Sequence, residues 1–124
     1  MGLTHIQAKL FALPSSKRGI FVRFLVDSGA VYSVLPEKIW KSLGLKSMRQ
    51  VEFSLADGTV ITRAVSECSF EVHGLKGTSP VVLGEAEDSP LLGMVTLEVL
   101  GLMINPLSRE LLPMHLVLAR IKSI

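Results

Sequence analysis

Cysteine, aromatic residues and charge are all scarce in this chain. Cys68 is the only cysteine, so no disulfide can form within it, and a reducing, cytoplasmic setting is the expectation. Aromatic residues make up 6% of the 124 residues and the net charge is only +2. That profile argues against a nucleic-acid binder, which needs a basic face and stacking rings. The densest basic pair, Lys17-Arg18, sits in "PSSKRG" and reads as a solvated turn. Long hydrophobic runs are missing too. The longest apolar region, "LLGMVTLEVLGLMI" at residues 91–104, is too short to span a bilayer and contains Glu98. The opening "MGLTHIQAKL" carries charge where a signal peptide would be apolar. Ile6 stands where a myristoylation signal at Gly2 wants Ser or Thr. No membrane partner is therefore expected. His5, His73 and His115 are scattered singly, without metal-ligand spacing, so no metal and no cofactor is expected.

What is present is a core-forming composition. Hydrophobic residues reach 48%, which excludes disorder and suits one domain over residues 1–124. A domain this small exposes much of its surface, so some apolar area is expected to meet a partner. "THIQAKLFAL" and "IFVRFLV" read as strands around the "PSSKRG" turn. A short strand, "VYSVL", follows. "PEKIWKSLGL" reads as a helix between an initial proline and a terminal glycine, with Ile39, Trp40 and Leu43 on its inner face. "VEFSL" and "TVITRAV" flank "ADG", where Asp57-Gly58 signals a tight two-residue hairpin turn. "SECSFEVHG" and "SPVVLGE" are further strands. "LLGMVTLEVLG" holds a second short helix, with Met94, Leu97 and Leu100 on one side. "LMIN", "PLSR" and "ELLPMHLVLARI" read as a hairpin with a long last strand. The sum is mostly β with two short helices.

One stretch breaks this pattern. In "FLVDSGAVYSVLP" an acid, a hydroxyl and a glycine interrupt an apolar run. Asp-Ser-Gly is by itself a common turn tripeptide, because Asp and Ser bond the nearby backbone. Here, however, it lies between apolar strands, where an unpaired carboxylate is costly. A glycine hairpin, "SLADGTVI", follows, and "LLG" opens a helix later.

In the order of these motifs the chain resembles the retropepsin-like aspartic proteases, the single-domain relatives of pepsin. Their mark is Asp-Thr/Ser-Gly-Ala/Ser in an apolar strand, then a flap hairpin, then two apolar residues and Gly before a helix. Here these are Asp27-Ser28-Gly29-Ala30, the hairpin around Gly58, and Leu91-Leu92-Gly93. The resemblance runs over about residues 20–113, and "LGLMINPLSRELLP" looks like the end of cellular, non-viral members. It implies a mostly β fold, a closed β-barrel acid-protease half with two short helices, acting as a homodimer. It implies hydrolysis of a peptide or protein substrate by water held between two aspartates. One carboxylate would act as general base and the other, protonated, would bind the substrate carbonyl. Two such carboxylates share a proton. The chain has three aspartates, Asp27, Asp57 and Asp88, and neither of the last two begins a second Asp-Ser/Thr-Gly. The second Asp27 must then come from a second copy across a two-fold axis.

The resemblance also implies roles for the neighbours. Ser28 would lock the two catalytic loops together, Gly29 would let the backbone turn and approach the carboxylates and the substrate, and Ala30 would join them in binding the substrate. Asp57, Gly58 and Thr59 would form the flap tip, Pro90 and Leu91 would wall the side-chain pockets, and Gly93 would allow close packing beneath the catalytic loop. Val31 and Tyr32 depart from the pattern, because viral members usually carry acidic residues there. The rival reading from another class is a non-catalytic dimer that captures extended peptides on the same fold. A purely structural dimer is a third. Cys68 reads as a half-buried strand residue rather than a nucleophile. Ser28 lacks the strand-turn-helix elbow of a serine nucleophile, and Glu85, Glu87 and Asp88 read as solvated charge rather than a calcium site.

Overall fold

Alternation of apolar and polar residues builds most of this molecule. In the computed structural model, residues 4–115 and Leu118 are described. The strands are β1 His5–Phe11, β2 Ile20–Val26, β3 Ser33–Leu35, β4 Arg49–Ser54, β5 Val60–Val72, β6 Leu75–Leu83, β7 Leu91–Leu92, β8 Leu102–Ile104 and β9 Leu111–Pro113. Two helices join them, α1 Glu37–Leu43 and α2 Met94–Leu100. In β2, Val22, Phe24 and Val26 point inward while Phe21 and Arg23 face water, as a strand with one buried face requires. The long last strand expected from "ELLPMHLVLARI" is seen only as β9; positions 116–117 and 119–121 of that stretch lie outside the described residues.

Seven strands form one sheet in the order β1-β2-β7-β3-β6-β5-β4. β1 also pairs with β5, through Lys9↔Glu71, Leu10↔Phe70 and Phe11↔Ser69. The pairings thus run from β1 through β2, β7, β3, β6 and β5 and return to β1, with β4 appended as an edge. The interior holds Leu10, Phe24, Leu35, Phe70, Val81, Leu92 and Leu97, all shut off from solvent. The rings of Phe24 and Phe70 lie 5.8 Å apart at a tilt, a favourable aromatic geometry.

The helices match their sequence signals. Helix α1 begins one residue after Pro36, which stands at its N-cap, and ends on Gly44 in the left-handed conformation. Ile39, Trp40 and Leu43 pack on the core. Helix α2 ends likewise on Gly101 and buries Thr96, Leu97 and Leu100. Two strand expectations are revised. "TVITRAV" and "SECSFEVHG" form one continuous strand, the 13-residue β5. Ser66 and Ser69, which resemble turn punctuation, sit inside its ladder opposite Val81 and Thr78. Their hairpin partner β6 starts at Leu75, because His73 and Gly74, both at positive φ, make the turn.

Candidate active site

β2 and β7 run parallel, with Leu25 opposite Leu91 and Val26 opposite Leu92. Asp27 is the first residue beyond β2. Its N–H donates to the Leu92 carbonyl at 3.0 Å, extending that pairing by one step. The chain then turns: the Ala30 N–H donates to the Asp27 carbonyl at 3.1 Å, and the Gly29 N–H donates to Asp27 Oδ1 at 2.9 Å. Asp27 is half-buried, with Ser28 and Gly29 exposed beside it. Gly29 is not at positive φ. A Cβ added there would lie 3.2 Å from Asp27 Oδ1, so glycine keeps the space beside the carboxylate open.

Helix α2 clamps this loop from behind. The Met94 and Val95 N–H groups donate to the carbonyls of Ala30 and Val31 at 2.8 and 3.0 Å. The approach is so close that a Cβ on Gly93 would meet the Tyr32 carbonyl carbon at 2.6 Å. Behind the loop, the buried Thr96 hydroxyl bonds to those of both Ser33 and Ser79, and Ser33 Oγ accepts the Gly93 N–H at 3.0 Å. These contacts tie β3, β6 and α2 into one rigid support for the Asp27 turn.

Above the turn stands the β4–β5 hairpin. The Gly58 N–H donates to the Leu55 carbonyl, and the Leu55 N–H to the Thr59 carbonyl. Gly58 has φ 87° whereas Asp57 does not have positive φ. The turn is therefore a three-residue loop with glycine in the left-handed position, not the two-residue turn that Asp57-Gly58 suggests. Asp57 Oδ1 accepts the Thr59 N–H at 2.9 Å. The Thr59 side chain and then its N–H hold the Asp57 carboxyl below its usual range by bonding the charged form.

A cavity of about 340 Å³ opens between hairpin and turn. Gly29, Ala30 and Leu91 line it, as do Tyr32, Val34, Phe53, Ile61, Arg63, Val82 and Asp88. Asp57, Gly58 and Thr59 stand at the exposed hairpin tip, outside this lining. Pro90 lies outside it too, and its carbonyl accepts the Leu25 N–H at 3.1 Å. Sequence reasoning did not single out Phe53, Ile61 or Arg63. Their signal lies in the hairpin register, since Phe53 pairs with Ile61, and Arg63 is two residues further on the same face. Arg63 pairs with Glu85 at 3.2 Å near the surface. Asp88 Oδ2 accepts the Glu85 N–H at 2.6 Å, which closes its own loop.

A family model described as "Aspartyl protease" matches residues 15–96, a span that includes the Asp27 turn, the hairpin and the Leu91-Leu92-Gly93 junction. The chain belongs to the aspartyl protease family. Solved retroviral proteases share its fold. The EIAV protease, solved with the inhibitor HBY-793, superimposes with a TM-score of 0.61 at 16% identity, covering 94% of each chain. The solution structure of the simian foamy virus (mac) protease gives a TM-score of 0.55 at 19% identity, covering 77% of this chain and 92% of that one. No curated protein matches the sequence. This aspartyl protease family member is thus a mostly β chain with two short helices and a retroviral-protease fold. Among the described residues, no group of three or more His, Cys, Asp or Glu side chains could hold a metal ion. Nor is any helix among them long and apolar enough to cross a membrane.

Proposed function

We propose that the chain is an aspartic endopeptidase of the cellular retropepsin type, active as a homodimer in which each copy contributes one Asp27. The observation that carries this reading is the placement of Asp27. Asp27 is half-buried in an Asp-Ser-Gly-Ala turn, its N–H bonded to the Leu92 carbonyl and its carboxylate to the Gly29 N–H, next to a cavity that Gly29 and Ala30 line under a hairpin. Family membership supports the chemistry. The return of the strand pairings from β5 to β1 supports a closed barrel for each half.

In this reading two Asp27 carboxylates face each other across the dimer axis and hold one proton between them. The ionised one removes a proton from water as the water oxygen bonds to the scissile carbonyl carbon. The protonated one donates its hydrogen bond to the carbonyl oxygen, and a proton passes to the amine as the C–N bond breaks. The exposed Ser28 would meet the partner's loop in such a dimer. An extended peptide lies under the β4–β5 flap with an apolar side chain in the cavity.

A peptide-library digest tests this. The parent should cut with a bell-shaped pH profile, since only the singly protonated pair works. It should be blocked by a hydroxyl-bearing mimic of the water adduct. Asp27→Asn should fold and lose cleavage to background, whereas Asp88→Asn should retain it. Cleavage by Asp27→Asn at the parent rate overturns the reading. Peptide binding by the parent without cleavage indicates the capture module instead.

A further inference from the structure

One aromatic pair, Tyr32 and Phe53, spans the cavity from the Asp27 loop to the hairpin. Tyr32 stands on the rigid side of the cavity, its backbone pressed by Gly93 and its neighbour Val31 bonded to the Val95 N–H. Across the cavity is β4, the last strand in the sheet order, which pairs only with β5 among the described residues. An edge strand with a single ladder is the part of a sheet that opens most readily. Tyr32 reaches it twice. Its ring meets the Phe53 ring edge-on, with centroids 5.8 Å apart and planes at 76°. Its Oη accepts a hydrogen bond from Arg49 Nη2 at 3.0 Å. Arg49 begins β4 and Phe53 lies next to its end, so one side chain holds both ends of the strand.

From this we infer that Tyr32 is a positioning residue that latches the outer strand of the hairpin to the Asp27 loop and so sets how often the hairpin stands open. The inference rests on reading β4–β5 as a flap. Opening must break an aromatic edge contact and a hydrogen bond, both of which reform when the strand returns. Tyr32 makes no claim on the reacting atoms. Its effect runs through the fraction of molecules whose flap is closed, and substrate affinity scales with that fraction. A loosened latch therefore raises KM and leaves kcat nearly unchanged.

The test combines hydrogen exchange with kinetics on the full chain. Exchange of the β4 amides bonded to β5 is followed in the parent, Tyr32→Phe, Arg49→Met, their double variant and Tyr32→Ala. Amides of β1 and β2 serve as the internal reference. Tyr32→Phe and Arg49→Met should each speed β4 exchange by about fivefold, the usual net worth of one hydrogen bond. The double variant should do no more than either, because both remove the same bond. Tyr32→Ala should add a further severalfold by losing the ring contact. Arg49 is exposed, so Arg49→Met keeps the test alive if Tyr32→Ala fails to fold. In peptide cleavage KM should rise by less than these factors, because the closed fraction of a mostly closed flap changes less than its open fraction, with kcat within about twofold of the parent. Unchanged β4 exchange, additive single variants, reference amides that quicken in step, or a fall in kcat at constant KM would each overturn the latch. A parent that cuts no peptide defeats the protease reading alone, since the exchange data still judge the latch.

Discussion

At the scale of single residues, space and solvation do different work around Asp27. Gly93 is needed for room, not for backbone freedom. Its φ of −94° suits any residue, but a Cβ would run into the Val31 and Tyr32 carbonyl oxygens, both at 2.8 Å. Backbone atoms cannot step aside as a flexible side chain can. Gly93→Ala should therefore destabilise the protein by about 1–3 kcal/mol, read as a lower denaturation midpoint, and should separate α2 from the Asp27 loop. Cys68 illustrates solvation. Burial, and then the nearby charge of Glu67, push its thiol up from 9.0 to about 12. The unfolded chain ionises this thiol first, so its contribution is intact below pH 9 and is lost as pH rises towards 12. Over that window stability should fall by up to about 1.4 kcal/mol per pH unit more than in Cys68→Ala. The native thiol should also resist alkylation at pH 8 and react once unfolded; rapid labelling of folded protein would show that Cys68 is not closed off.

At the scale of elements, the β4–β5 hairpin ties the fold to the proposed function. Gly58 is the one tip residue whose conformation demands glycine: its φ is 87°, and a Cβ would meet nothing within 4 Å. Any cost of substitution is thus local backbone strain, about 1–2 kcal/mol. A β-branched residue suffers most there and asparagine least. Gly58→Val should distort the tip and lower peptide turnover more than thermal stability, and Gly58→Asn should recover much of the loss. Equal turnover in all three proteins would remove the hairpin from the mechanism. The same hairpin shows what the sequence could and could not tell. Asp27, Gly29, Ala30 and Leu91 are legible because their motifs are local. So are both helices, bracketed by Pro36, Gly44 and Gly101. The cavity walls are not, because they depend on register. Phe53 and Ile61 belong to the site only because they pair across the hairpin, and the Arg49–Tyr32 contact joins residues 17 apart through tertiary folding. The unbroken β5 was hidden for a related reason. Serines that mark turns in isolation are buried inside its ladder, with Ser66 and Ser69 both nearly inaccessible.

At the scale of the whole molecule, the proposed chemistry needs two Asp27 residues and each chain supplies one. Asp57 is committed to its own turn through Thr59, and Asp88 to its loop through Glu85. Exposed apolar side chains remain close to where a partner or substrate would lie in this reading, notably Val31, Leu55 and Val60 on the Asp27 loop and the β4–β5 hairpin. Two copies related by a two-fold axis would bring their Asp27 turns together with the exposed Ser28 of each between them. Sedimentation at micromolar concentration should give twice the chain mass. Subunit mixing is the sharper measurement, because it asks whether one site draws on two chains. When parent is exchanged to equilibrium with an equal amount of Asp27→Asn, random pairing leaves about a quarter of the dimers with two Asp27 residues. Activity per total dimer should then fall to about a quarter of the parent value, and follow the square of the parent fraction as the ratio is varied. A linear dependence on that fraction would mean that each chain works alone. The catalytic pair would then have to be found within one copy, with Asp88, which lines the same cavity, as the first residue to replace.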